Sequence, residues 1–204
     1  MVKVRVYFEG SNQLRQGFKA FLMKCAGQTG RSHFDLEVVA AQNEPIEDFQ
    51  LALQTHADST VLLLLDSEEP LDAKCVNLKR IKRLRGINRN HIFWMVQLME
   101  AWFLADHHAL QTHFKRDFRH DVLPQHVDVE TIPKQLVLKG LKELARKRKK
   151  GAYHKVQDGS ALLNLIDPVA VASRAPECRR LCQTLQALAA VNKPTIPGLY
   201  PPHR

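Results

Sequence analysis

The period of the hydrophobic pattern changes several times along the chain, and each change marks an element. Val2, Val4, Val6 and Phe8 alternate with Lys3, Arg5 and Tyr7, the two-residue period of a strand, which runs into Glu9-Gly10. Leu14, Phe18, Phe21, Leu22 and Cys25 then keep helical spacing, with Ser11 placed to cap the helix and Gly27 to stop it. Residues 34–41 read as a second strand and residues 45–56 as a helix carrying Ile46, Phe49, Leu51 and Leu53. Val61, Leu62, Leu63, Leu64 and Leu65 follow without a polar residue between them, as in a strand buried on both faces of a parallel sheet. The order β-α-β-α-β predicts a doubly wound α/β fold.

Beyond Pro70 the pattern is more mixed. Residues 73–85 set Lys74, Lys79, Arg80, Lys82, Arg83 and Arg85 around a thin apolar stripe, predicting a basic amphipathic helix. Residues 91–98 read as a fourth strand and 99–110 as a helix, which puts Glu100 at their junction among apolar neighbours. From 107 to 129 regularity is lost, and His107, His108, His113, His120 and His126 show no metal-ligand spacing. Helices are predicted over 132–150, 159–166 and 176–191, the first ending in Arg146-Lys147-Arg148-Lys149-Lys150. The pattern divides the chain into an α/β domain over 1–110, a helical extension packed on it over 111–192, and a Pro-rich tail over 193–204. The sheet is expected to be mainly parallel, with about four strands flanked by helices.

The strand at Val61 ends in Asp66, with Glu68 and Glu69 just beyond, at the sheet edge where open α/β folds bind ligands. Alternation of an extended chain would place Asp66 and Glu68 on one side, facing a single cation, unless the segment is a solvated acidic turn closed by Pro70. Glu100 needs a metal, a cation or a helix N-terminus to offset its desolvation. The formal net charge of +9 on 204 residues favours a polyanionic partner, DNA or RNA. Lys79, Arg80, Lys82 and Arg83 form one candidate nucleic-acid-binding cluster, and Arg146, Lys147, Arg148, Lys149 and Lys150 another; solvated basic helix faces are the alternative in both. Four cysteines without a disulfide framework, an N-terminus lacking an apolar signal core, and a longest apolar stretch (92–105) too short for a bilayer together predict a cytoplasmic protein with no membrane association.

Glu9-Gly10 after the first strand and Asp66-Ser67-Glu68 after a later buried strand resemble the Toprim catalytic fold of topoisomerases, primases and OLD-type nucleases. Met99-Glu100-Ala101-Trp102 with Asp106, then Tyr153-His154-Lys155 and a helix after Pro176, are similar to a bacterial Toprim-like family found beside ATPase subunits and linked to phage defence. The resemblance implies a nuclease using Mg²⁺ or Mn²⁺, with Glu9, Asp66, Glu68 and Glu100 as metal ligands, Glu9 and Lys155 as catalytic residues, and an ATPase subunit as partner. Two positions depart from the family pattern. Gln13 replaces the second glutamate of Glu-Gly-x-x-Glu, and Glu68 stands where aspartate is common. A non-catalytic module that binds nucleic acid or regulates an ATPase is therefore the alternative. A third is a metal-dependent phosphatase acting on a small molecule. For Lys155 the alternative to a chemical role is a structural ion pair with Asp106 or Asp158.

Overall fold

Five aliphatic residues in a row can be buried only if both faces of their strand are covered, and the fold supplies a layer on each side. The structure, a computed structural model, describes residues 2–28, 34–41, 44–71, 82–146 and 151–191. Among these, strands β1 (Val2–Glu9), β2 (Phe34–Ala41), β3 (Ser59–Asp66) and β4 (Ile92–Met95) form a sheet in the order β2-β1-β3-β4. Every neighbouring pair is parallel. Leu62 and Leu64 join Val4, Val6 and Phe8 in a core shared with Phe18, Phe21 and Leu22 of helix α1 (Arg15–Cys25). Val61, Leu63 and Leu65 face the other way, with Tyr7, against Ile46, Phe49 and Ala52 of α2 (Pro45–Thr55). The α/β class, the parallel sheet and the helical C-terminal region agree with the pattern of the sequence.

The second half of the chain folds as α3 (Ala101–Ala105), α4 (His107–Phe114), α5 (Lys134–Ala145), α6 (Lys155–Leu165), α7 (Pro168–Arg174) and α8 (Pro176–Ala190). Its buried residues, among them Val137, Leu141, Leu162, Leu185 and Ala189, belong to the same cluster as Val4, Phe18 and Leu64. Arg180 of α8 lies over the Phe93 ring at 4.1 Å and donates to the Ile92 carbonyl at 2.5 Å, covering β4. Cys25, Cys178 and Cys182 are buried free thiols, with Cys182 and Cys25 sulfurs 2.8 Å apart, so the fold brings α1 and α8 together where the sequence showed only the Cys178 and Cys182 spacing.

Several boundaries differ from the sequence reading for local reasons. The helix expected over 99–110 breaks at Asp106, whose carboxylate accepts the Ala109 N–H at 3.0 Å and the Asp167 N–H at 2.8 Å, tying α4 and the start of α7 to one side chain. β4 stops at Met95 rather than continuing to 98, although Met95 and Gln97 carbonyls still accept Ser67 and Glu68 N–H groups at 3.1 and 2.8 Å. α6 begins at Lys155 instead of 159, because the His154 ring accepts the Gln157 N–H at 3.2 Å and Asp158 accepts the His154 N–H at 2.8 Å. α7 was not expected, although Asp167-Pro168 is an ordinary start signal: Asp167 accepts the Val169 N–H at 2.9 Å and Pro168 takes the first turn. Lys79, Arg80, Lys147, Arg148, Lys149, Lys150, Cys75 and the Pro-rich tail lie outside the described residues.

The contact that positions the functional edge is between α1 and α6. A Cβ on Gly17 would sit 2.6 Å from the Ser160 carbonyl oxygen and 3.0 Å from Leu163 Cβ, so only glycine permits this approach. Lys24, about two turns further along α1, donates to the Ile166 and Asn164 carbonyls at 2.5 and 3.0 Å and caps the end of α6. Gly17→Ala is therefore expected to destabilise the protein by roughly 1–3 kcal/mol, the range for an overpacked core. Chemical denaturation would check this, and a stability within a few tenths of wild type would show that α6 rides less tightly on α1 than the structure has it.

Candidate functional site

In a parallel sheet all strands finish on one edge. With the order β2-β1-β3-β4, the chain leaves β1 to one side for β2 and returns to the other for β3, so the gap between β1 and β3 is the topological switch point. Glu9 closes β1 and Asp66 closes β3, and Phe8 pairs with Leu64 in the register between them. The two acids therefore end neighbouring strands on the edge where such folds bind ligands, near enough for the charge of Glu9 to act on Asp66.

Asp66 follows Leu64 and Leu62 on the more heavily covered face, and its carboxylate is nearly withdrawn from solvent. Its Oδ1 accepts the Met99 N–H at 2.9 Å, which ties down the segment between β4 and α3. That segment delivers Glu100, fully buried and flanked by Met99, Ala101 and Trp102. Glu100 occupies the N-cap position of α3 but makes no side-chain capping bond, so the helix-capping alternative is not realised. Oε1 accepts a weak bond from Tyr153 at 3.5 Å, and Oε2 has no hydrogen-bond partner.

The cation for this pair comes from α6. Lys155 Nζ stands 3.7 Å from Asp66 Oδ2 and 3.9 Å from Glu100 Oε2. It does not pair with Asp106 or Asp158, the structural alternatives, because both are engaged elsewhere: Asp106 as described above, Asp158 with His113 Nε2 at 2.8 Å and with the His154 N–H. Asp158 and His113 thus hold the first turn of α6 so that Lys155 faces inward. Both were invisible as site residues in the sequence, since nothing in spacing links positions 113 and 158.

The electrostatics follow from burial. Desolvation pushes Asp66 up to about 8, opposed by Lys155 and the Met99 N–H and assisted by the charges of Glu100 and Glu9. Glu100 is raised for the same leading reason, with Lys155 opposing. Burial works against the Lys155 ammonium, yet Glu100, Asp66, Glu68 and Glu9 together hold it above ordinary lysine. Tyr153 is raised by burial and by the adjacent Glu100 and Asp158.

Glu68 is placed differently from the alternation expected of an extended chain. The strand ends at Asp66, Glu68 adopts a φ of 64°, and its carboxylate pairs with Lys134 at 2.7 Å. Lys134, the first residue of α5, was missed in the sequence; its N–H also bonds Gln97 Oε1 at 3.2 Å. Gln13 is exposed, with its N–H directed to Ser11 Oγ at 3.3 Å. Of the basic candidates within the described residues, Lys82 is exposed, Arg83 pairs with Glu44 at 2.8 Å and with Glu47, and Arg146 pairs with Glu143 at 3.2 Å.

Oxygen donors of this kind suit a hard divalent cation, and the buried Glu100 Oε2 without a hydrogen bond is an atom such an ion would satisfy. Among the described residues, however, no three His, Cys, Asp or Glu side chains are already arranged to hold a metal. Two acids and a lysine form the preassembled core, with Glu9 and Glu68 close enough to act on it by charge.

Fold and site together define an α/β protein with a carboxylate and lysine cluster at the switch point of a parallel sheet. The chain belongs to the family described as "Domain of unknown function (DUF4276)", whose model matches residues 11–186. No curated protein and no solved structure matches it. Among the described residues no helix is long and apolar enough to cross a membrane.

The raised Asp66 value has a measurable sign. An acid that ionises near 8 when folded and near its ordinary 3.8 when unfolded binds more protons in the folded state between those pH values. Its contribution to stability therefore falls as pH rises from about 4 to about 8. Asp66→Asn, which keeps the acceptor for the Met99 N–H, is expected to stabilise the metal-free protein, more at pH 8 than at pH 5. Urea denaturation at the two pH values would check it; equal effects at both would mean that Asp66 is already ionised at pH 5.

Proposed function

We propose that this chain is a divalent-metal-dependent nuclease of the Toprim type, hydrolysing phosphodiester bonds in DNA or RNA. The observation that carries the reading is Lys155, turned in between Asp66 and Glu100 at the switch point. Desolvating the two acids costs several kcal/mol per ion before their attraction to Lys155, itself over half exposed, is counted, and apolar side chains would fill their place at no such cost. Such a cluster is characteristic of chemistry rather than of scaffolding. The parallel sheet, compatible with a Toprim-like fold, and the acids after β1 and β3 support the same reading.

In this mechanism Glu9, Asp66, Glu68 and Glu100 would hold Mg²⁺ or Mn²⁺, Glu68 only if released from Lys134. The ion would supply activation of water and neutralisation of the leaving oxygen. Glu9, at the open end of β1, takes the proton from the attacking water. Lys155 neutralises the charge that grows on the phosphoryl oxygens, which it can do without reorganising because α6 already fixes its position. Asp66 and Glu100 keep Lys155 charged and directed at the crevice. By its resemblance to the Toprim-like proteins found beside ATPases, the chain serves as the effector subunit of an ATPase-coupled antiviral defence system.

A second reading, a catalytically inactive Toprim-like module that binds nucleic acid or regulates an ATPase, is favoured by two observations. Glu68 is engaged by Lys134, and Gln13 brings no charge to the site.

The two readings differ in rates. With Mn²⁺ and the partner ATPase present, Lys155→Ala is expected to lower cleavage by roughly 100-fold to 1,000-fold, the usual cost of one transition-state contact, while Mn²⁺ still binds by calorimetry. Asp66→Ala should abolish both cleavage and Mn²⁺ binding. A wild-type protein that binds no Mn²⁺ and cleaves neither DNA nor RNA would favour the inactive module.

A further inference from the structure

The nuclease reading leaves open how a polymer reaches the acids, and α5 answers this with residues that link the site edge to Arg146, where the second basic cluster of the sequence begins. Its first residue is fastened to the site edge twice, by Lys134 Nζ on Glu68 at 2.7 Å and by the Lys134 N–H on Gln97 Oε1 at 3.2 Å. From there the helix runs outward. Val137, Gly140, Leu141, Leu144 and Ala145 are buried, and Gly140 fits closely against Leu123 and Pro124, which fixes the rotation of the helix about its axis. The opposite stripe is Gln135, Lys139, Lys142 and Arg146, at successive helical turns and all exposed. The one acid in this helix, Glu143, stands off the stripe and half-buried, paired with Arg146.

We propose that this stripe is a track for the sugar-phosphate backbone of a nucleic acid, leading from Lys134 at the carboxylate edge along Lys139 and Lys142 to Arg146. Spacing agrees with the partner: positions three or four apart on one helix face rise about 4.5–6 Å, of the same order as the spacing of successive phosphates along a strand. Contacts made only by ammonium and guanidinium groups to phosphate carry no base information, so the track binds without sequence preference and sequence choice falls to other parts of the protein. Glu68 and Lys134 gain a shared role at its inner end. A phosphate arriving there would compete with Glu68 for the Lys134 ammonium.

The proposal rests on the nuclease reading only for the identity of the polyanion, and the test separates the two. Fluorescence anisotropy of the full-length protein with labelled single-stranded and duplex DNA and RNA oligonucleotides, in EDTA to prevent cleavage, would be compared with that of Lys139→Glu/Lys142→Glu. The variant is expected to bind at least 10-fold more weakly, and the slope of log affinity against log salt should fall by roughly 1–2, as for two lost phosphate contacts. Lys19→Glu/Arg89→Glu makes the same change of charge on α1 and ahead of β4, outside the track, and should bind nearly as wild type. Both residues of each pair are exposed, and a thermal melt confirms the fold. Equal losses in the two double variants would show a general charge effect and overturn the track. Unchanged binding in Lys139→Glu/Lys142→Glu would overturn it too, leaving the nuclease reading intact. Wild-type protein that binds none of the four oligonucleotides would overturn both.

Discussion

The structure depends on one constraint, that β3 must be buried from both sides. Residues 61–65 offer no polar position to solvent, so helices must cover each face, and the order β2-β1-β3-β4 places β3 between two other strands. The same coverage extends one residue too far for comfort. Asp66 continues the strand into the core, and the apolar layers that stabilise Leu64 desolvate its carboxylate. Everything notable at the sheet edge is a response to that carboxylate: the Met99 N–H, the nearby Glu100 and the ammonium of Lys155.

The elements were legible where a single period or a single cap decides them. β2 spans the residues read as a strand, and Pro45 and Pro176 open their helices, whereas Ser11 caps a 3-10 turn over 12–14 that leads into α1 rather than α1 itself. The site was legible in part for the same reason. Acids placed after strands that must be parallel are bound to share an edge, and Glu9 and Asp66 do. What failed was local geometry past the last ladder bond. Glu68 was assigned by extrapolating the strand, but a φ of 64° redirects it to Lys134. Lys134 itself gave no signal, because a lysine at the start of a basic helix is ordinary until the fold sets it against a carboxylate. Lys155 came to attention only through the resemblance, and the groups that aim it inward, Asp158 and His113, lie 45 residues apart.

Two ways of holding a cation coexist at this edge. Lys155 is over half exposed at its side chain yet faces acids that are buried, so its charge acts inward while water still reaches it. Lys134 is a third exposed and faces a half-exposed glutamate, an arrangement worth at most about 1 kcal/mol and easily exchanged for another anion. The inner pair sets the electrostatics of the site, and the outer pair is the one that can open. On the proposed nuclease reading, a rigid centre with a labile rim would suit a polymer substrate, whose binding could rearrange the rim without disturbing the inner cluster.

The close approach of Gly17 to Ser160 has a consequence for how the molecule comes into being. Asp66 and Glu100 arrive early in the chain, but Lys155, the cation that faces them both, is carried on α6, which packs against α1, α4 and the core shared with α8. The two buried acids therefore gain this ammonium only after residues 155–165 have been synthesised and α6 has docked on α1, so the centre is completed by the second half of the chain rather than by the sheet that presents the acids.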